Sequence, residues 1–148
     1  MTGYLRPLCK LEGKMTNDFV QLIKTYYQAF NAQDMDTFFS LLTEDVVHEI
    51  NQGNTEIGKQ TFIQFMKEMN QYYQEEVVDL VVFSSKDSDR VAAEFYIEGK
   101  YLATCAGLPE ARGQRYRLRV GAFFTIHEGK ICRVTNYYNM KEWLAQVK

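Results

Sequence analysis

The chain is predicted to be one α+β domain, with helices first and an antiparallel meander after them, the helices packed on one face of the sheet. Three observations lead there. Apolar residues recur at helical spacing through the first half, then switch to a period of two from Glu75 onward. Only 2 prolines occur, and no heptads, internal repeats or low-complexity segments break the pattern. A length of 148 residues suits a single domain with one sizeable core.

Residues 1–15 are expected to be a flexible leader, and the folded domain is expected to span 16–148. The opening "MTGYLRPLCKLEGK" holds no continuous apolar segment, so it is not expected to act as a secretory signal. Periodicity starts just after Met15. In "TNDFVQLIKTYYQAFNAQD" either Thr16 or Asn17 can cap a helix whose apolar face is Phe19, Val20, Ile23, Tyr26, Tyr27 and Phe30. "NAQD" ends it, and "MDTFFSLLTED" predicts a second short helix. "VVHEI" is a brief strand closed by the turn signal "NQGN". "GKQTFIQFMKEMNQYY" is a third helix, with Phe62, Phe65, Met66 and Met69 along one face.

The meander follows. "EEVVDLVVFSS" reads as a strand, "KDSD" as a turn and "RVAAEFYIEGKYLAT" as a long strand. "CAGLPEARGQ" is a loop, and "RYRLRVGAFFTIHEGKICRVTNYYN" is a hairpin about "HEGK". "MKEWLAQVK" closes the chain as a short C-terminal helix. Alternation puts Val91, Ala93, Phe95 and Ile97 on one face, with Tyr116, Leu118, Val120, Ala122, Phe124 and Ile126 on the matching face of the next strand. These faces should look toward the helices. The opposite faces are polar but retain Tyr96 and Phe123, which suits a surface covered by a second subunit.

Composition narrows the function classes. Aromatic residues make up 14% of the chain, with 10 Tyr and 10 Phe, enough rings to line a cavity as well as fill a core. The net charge, 17 − 19 = −2, provides no field for nucleic acid or an anionic membrane. The arginines of "RYRLR" read as a solvated or dimer-facing ladder paired with Glu94 and Glu98, so no nucleic-acid partner is expected. Runs such as "VVDLVVF" are too short to span a bilayer. Cys9, Cys105 and Cys132 have no metal-like spacing and read as reduced packing thiols of a cytoplasmic protein. No histidine–carboxylate spacing suggests a metal, no glycine-rich loop suggests a phosphate group, and no cofactor is expected. His127 falls in a turn and should be exposed.

The stretches "YYQAFNAQDMDTFFSLLTEDVVHEINQG", "GKQTFIQFM" and "FFTIHEGKICRVTNYYN" resemble the nuclear transport factor 2-like superfamily. The nearest branch is that of SnoaL-like and ketosteroid isomerase-related proteins, over roughly Thr16 to Val147. The resemblance implies a cone-shaped α+β barrel, a strongly bent sheet wrapped around three N-terminal helices, and a homodimer joined through the outer sheet face. It implies less about activity, because the superfamily hosts isomerases, cyclases, dehydratases, hydrolases and non-catalytic modules. By the same resemblance Tyr26 stands at the oxyanion-hole tyrosine of ketosteroid isomerase, Ile50 at its base aspartate and Ala122 at its oxyanion-hole acid. One of three positions is kept, which argues against steroid isomerisation by that machinery.

A different polar set could serve the same cone. Strand parity places His48 on the face of Ile50, and Val134, Asn136 and Tyr138 toward the same pocket. The expected catalytic residues are Tyr26, His48 and Asn136, with Glu49 replacing His48 if the register shifts by one. The expected substrate wall is Phe30, Ile50, Phe65, Met66, Phe95, Ala122, Phe124 and Tyr138. An imidazole near its ordinary pKa of about 6.5 could take a proton beside a carbonyl, while the tyrosine and asparagine hold the oxygen. The set resembles in kind the His/Tyr/Asn lining of scytalone dehydratase. The expected function is isomerase- or cyclase-type proton transfer on a small apolar molecule; the alternatives are a dimeric ligand-binding or protein-interaction module and a dehydratase-type lyase. Plainer roles stand beside these: His48 as a hydrogen-bonded strand residue, Tyr26 as a core tyrosine, Asn136 as a structural amide. "GLPEAR" is either a lid moving on Gly107 and Gly113 or an ordinary long loop.

Overall fold

The computed structural model describes residues 7–148, and their side chains from residue 17 onward. Helix α1 (Pro7–Asn31) begins nine residues ahead of the expected Thr16 cap. Residues 1–6 of the expected leader lie outside the described residues. After α1 come α2 (Met35–Ser40), β1 (Leu42–Glu49), β2 (Thr55–Ile57) and α3 (Lys59–Tyr72). The meander is β3 (Tyr73–Ser84), β4 (Arg90–Tyr101), β5 (Arg115–His127) and β6 (Lys130–Tyr138), followed by α4 (Met140–Val147). The six strands form one sheet in the order β2-β1-β6-β5-β4-β3, antiparallel except where β1 runs parallel to β6. The sheet is open and curled around the helices, a cone.

Local chemistry explains the boundaries. The Asp34 side chain accepts a hydrogen bond from the Thr37 amide to start α2, and the Leu41 amide closes back on Phe38 and Phe39 after six residues. The expected second helix is therefore shorter than "MDTFFSLLTED". Its last residues join β1, where Ile131 donates to the Leu41 carbonyl and Leu42 pairs with Ile131. "NQGN" does turn the chain, with Gln52 at φ 57°, but it returns as β2, a strand the alternation does not reveal in three residues. The β5–β6 turn has Glu128 at φ 49° and Gly129 at φ 77°, the two positive angles that suit the twist of a tight hairpin.

The alternation expected for β4 and β5 sets the core. Val91, Ala93, Phe95 and Ile97 are buried on one strand, and Tyr116, Leu118, Val120, Ala122, Phe124 and Ile126 on the next. They meet Ile23, Tyr26, Tyr27 and Ala29 of α1 and Phe62 of α3. β3 departs from simple alternation: its register slips between Val78 and Val81, with Asp79 at φ 55°. Tyr73, Glu75 and Val77 thus face inward, whereas Val81 and Phe83 are exposed outside. Asn31, the last residue of α1, fastens to that strand: its side-chain amide donates to the Val77 carbonyl at 2.8 Å and accepts from the Val77 amide at 2.8 Å. α4 packs against β5. Trp143 packs edge-on against Tyr101 at 5.1 Å and against Tyr73 and Tyr116 at 6.0 Å.

On the outer face Arg117 pairs with Glu98 and lies 4.2 Å from the Tyr96 ring. Glu94 stands opposite Gly121 and makes no such pair, so half of the expected arginine–glutamate ladder is absent. Cys105 and Cys132 are free, half-buried thiols, and Cys9 lies outside the described side chains. No helix of the described residues is long and apolar enough to cross a membrane.

Candidate active site

Between α1, α3 and the inner sheet face lies a cavity of about 410 Å³. Tyr26, His48 and Asn136 all reach its wall. So do Phe30, Ile50, Phe65, Met66, Phe95 and Tyr138. Ala122 and Phe124, placed by sequence in the substrate wall, do not line it. Both are 0% exposed and sit in the solid core, where the Phe124 ring packs 5.6 Å from Tyr26 and 6.0 Å from Tyr27. Tyr26 and Tyr27, which pack on Phe124, line the cavity instead.

The register of β1 leaves His48 inside and Glu49 outside. Glu49 accepts a hydrogen bond from the Thr135 hydroxyl and pairs with Arg133 at 3.4 Å, all on the outer face. His48 is 4% exposed, stacked on Phe62 at 4.2 Å and met edge-on by Phe65 at 4.7 Å. Its Nδ1 has no hydrogen-bond partner. Burial among rings disfavours the cation and pushes the pKa down to about 4. The imidazole is therefore neutral at neutral pH, and it is a weak base: the ordinary value assumed from sequence does not survive its surroundings.

A stronger candidate for proton transfer is a residue that sequence reading passed over. Glu75 points into the cavity from the start of β3. Burial raises its carboxyl to about 7, and a hydrogen bond from the Tyr116 hydroxyl offsets part of that rise. Tyr73, Tyr116 and Tyr138 surround it on the wall, with Asn70 and Asn136 as further polar groups. In the sequence Glu75 and Glu76 simply open the strand "EEVVDLVVFSS". The available signal was parity, since Tyr73, Glu75 and Val77 share a face.

The loop between β4 and β5 supplies another side of the cavity through Leu108. It is tied down. The Tyr101 hydroxyl donates to the Pro109 carbonyl and accepts from the Cys105 amide, both at 2.9 Å. The Gly113 amide returns to the Tyr101 carbonyl at 3.0 Å, and the Ala111 amide meets the Thr104 hydroxyl at 2.9 Å. Of the two expectations for "GLPEAR", this geometry suits the fixed loop. Among the described residues no group of three or more His, Cys, Asp or Glu side chains could hold a metal ion.

A curled sheet wrapped around helices is the fold of the nuclear transport factor 2-like superfamily. The chain belongs to its SnoaL-like family: a SnoaL-like domain matches residues 23–134, well over half of the length. It is similar to the crystal structure of a candidate polyketide cyclase from Pseudomonas putida KT2440, with 53% identity and a TM-score of 0.85 over 88% of this chain and 98% of that one. A second candidate polyketide cyclase, from Xanthomonas campestris pv. campestris, shows 46% identity and a TM-score of 0.87 over 90% and 98%. A third, from Silicibacter sp. TM1040, shows 46% identity and a TM-score of 0.85 over 88% and 96%. No curated protein matches the chain.

Proposed function

We propose that the chain is a cofactor-free acid–base enzyme of the isomerase or cyclase type, moving a proton next to the carbonyl of a small, largely apolar substrate. One observation carries this reading: Glu75, a carboxyl raised to about 7, stands in the wall of an apolar cavity. Near neutral pH such a group is present in both forms, so it can take a proton from carbon and return it elsewhere. As Glu75 removes the proton, the C–H electron pair moves into the carbonyl and an enolate forms. Asn136 and Tyr138 offer N–H and O–H donors to the oxygen as its charge grows. Reprotonation at another carbon completes an isomerisation; attack of the enolate carbon on a second carbonyl forms the ring bond and an alkoxide, which takes the proton back from Glu75. Neutral His48 contributes shape and a ring face. The names of the similar structures, polyketide cyclases, support the class.

The test follows hydrogen exchange at the carbon beside the carbonyl, using a panel of small cyclic ketones in D₂O read by NMR. Glu75→Gln is expected to slow exchange about 100-fold while leaving ligand affinity within a few-fold. Equal rates in the two proteins would sink the assignment of Glu75. Tight binding with no exchange in the wild type would favour the non-catalytic ligand-binding reading.

We further propose that the outer face holds a second copy of the chain. Phe83, Phe123 and Tyr137 are 56%, 46% and 56% exposed, and Phe83, Ala92 and Phe123 stand in register across β3, β4 and β5. Sedimentation should show a dimer that Phe123→Lys converts to monomer. A wild-type monomer at micromolar concentration would rule this out.

A further inference from the structure

Gly99 sits in the middle of β4, where a glycine weakens a strand and needs a reason. Its backbone gives none: its φ lies outside the left-handed region, so any residue could adopt it. Space gives one. Gly99 is paired with Glu75 on β3 and with Tyr116 on β5, so the three residues form a row across the sheet. Inner-face residues two apart along β4, such as Ile97 and Tyr101, carry side chains into the core. At Gly99 that space is filled by the neighbouring ring. A Cβ built there would lie 2.2 Å from Tyr116 Cζ, 2.4 Å from Cε2 and 2.5 Å from the hydroxyl oxygen. Carbon atoms in contact sit about 3.5–4.0 Å apart, so the methyl and the ring cannot coexist.

We propose that Gly99 is a positioning residue: its missing side chain lets the Tyr116 ring lie flat across β4 and reach Glu75. Trp143 packs edge-on against the same ring at 6.0 Å. The proposal rests on the reading of Glu75 as the proton-transfer group and adds how that group is set. Around Glu75 stand Tyr73 on its own strand, Tyr116 on β5 and Tyr138 on β6, with the uncharged Asn31 and Asn70 of α1 and α3. The groove that Glu75 and Gly99 share is also lined by Glu76 of β3, Glu98 and Lys100 of β4 and Arg115 and Arg117 of β5. Of these, it is the Tyr116 hydroxyl that holds the Glu75 carboxyl down against the effect of burial. The glycine thus decides whether the charged form of Glu75 has its donor.

The experiment is an NMR titration of ¹³C-labelled glutamate carboxyls in the full chain, with Glu75→Gln assigning the resonance. Tyr116→Phe keeps the ring and removes the donor, so the Glu75 midpoint should move up by about one pH unit. Gly99→Ala should move it the same way by a similar amount, and the two changes together should add nothing further. An unmoved midpoint in Gly99→Ala, or full additivity with Tyr116→Phe, would overturn the proposal. A purely structural role for Gly99 would lower stability and leave the midpoint in place. Should Gly99→Ala fail to fold, Gly99→Ala/Tyr116→Leu, which removes the obstructing atoms, is expected to fold; its failure also overturns the proposal. A wild-type midpoint at the ordinary carboxylate value would instead defeat the reading of Glu75, while the comparison of the two variants still judges Gly99.

Discussion

His48→Phe is expected to make stability fall steadily as pH rises from about 4.5 to 7, whereas Glu75→Gln is expected to make it rise over the same range. The two residues pull in opposite directions. The folded-state pKa of His48 is depressed from 6.5 to about 4, so its contribution is fully present above 6.5 and is lost as pH falls through 4. The carboxyl of Glu75 is raised from 4.5 to about 7, so its contribution is present below 4.5 and is lost as pH rises through 7. Each shift corresponds to at most about 3 kcal/mol when fully expressed. In the wild type the slopes largely cancel between pH 4.5 and 6.5, and removing either group exposes the other. Phenylalanine keeps the stack on Phe62 and glutamine keeps the size of the glutamate, so packing changes little. Urea midpoints at half-unit pH steps measure the effect. Parallel curves for the wild type and both variants would show that neither group is desolvated as described.

Phe38→Ala is expected to cost about 3–5 kcal/mol, a fall in melting temperature of about 10–20 °C. Phe38 is 1% exposed and stacks on Tyr26 at 4.3 Å with an interplanar angle of 28°. It also meets Phe39 at 5.2 Å and Phe62 at 6.1 Å. The helix that carries it has six residues and a single buried side chain, so it has little else to hold it in place. Because Phe38 also borders the cavity, the truncation opens space continuous with it. Thermal melts should show the loss, and binding of bulkier apolar ligands should improve relative to small ones. A loss below about 1 kcal/mol would mean that the wall collapses to fill the gap.

Much of this fold is legible in the sequence because its strands bury one face only. Alternation in β4 and β5 identifies the inner row from Val91 to Ile97 and from Tyr116 to Ile126 without any structure. The inward direction of His48 follows from the same rule. What alternation cannot give is a break in itself. The bulge at Asp79 reverses the faces of β3, and no local pattern announces a left-handed aspartate. Nor can it give environment. His48 and Glu75 are ordinary titrating residues in one dimension, and their altered basicity comes from burial by residues elsewhere in the chain, Phe62 and Phe65 around the imidazole, with the Tyr116 hydroxyl holding the Glu75 carboxyl partly back. Ala122 and Phe124 show the converse: they have the right parity for the cavity wall but are fully buried in the core, Phe124 against Tyr26 and Tyr27.

The parallel seam between β1 and β6 bears on how the molecule comes into being. His48 neighbours Val134 there, and Leu42 neighbours Ile131, so the strand carrying the imidazole is fastened by partners near the other end of the chain. Closing so long a loop is entropically slow compared with zipping adjacent hairpins. The β3–β4 and β5–β6 pairs can form early, between near neighbours. The chamber itself has to wait for the last strand to dock, so assembly and competence to bind arrive in the same step.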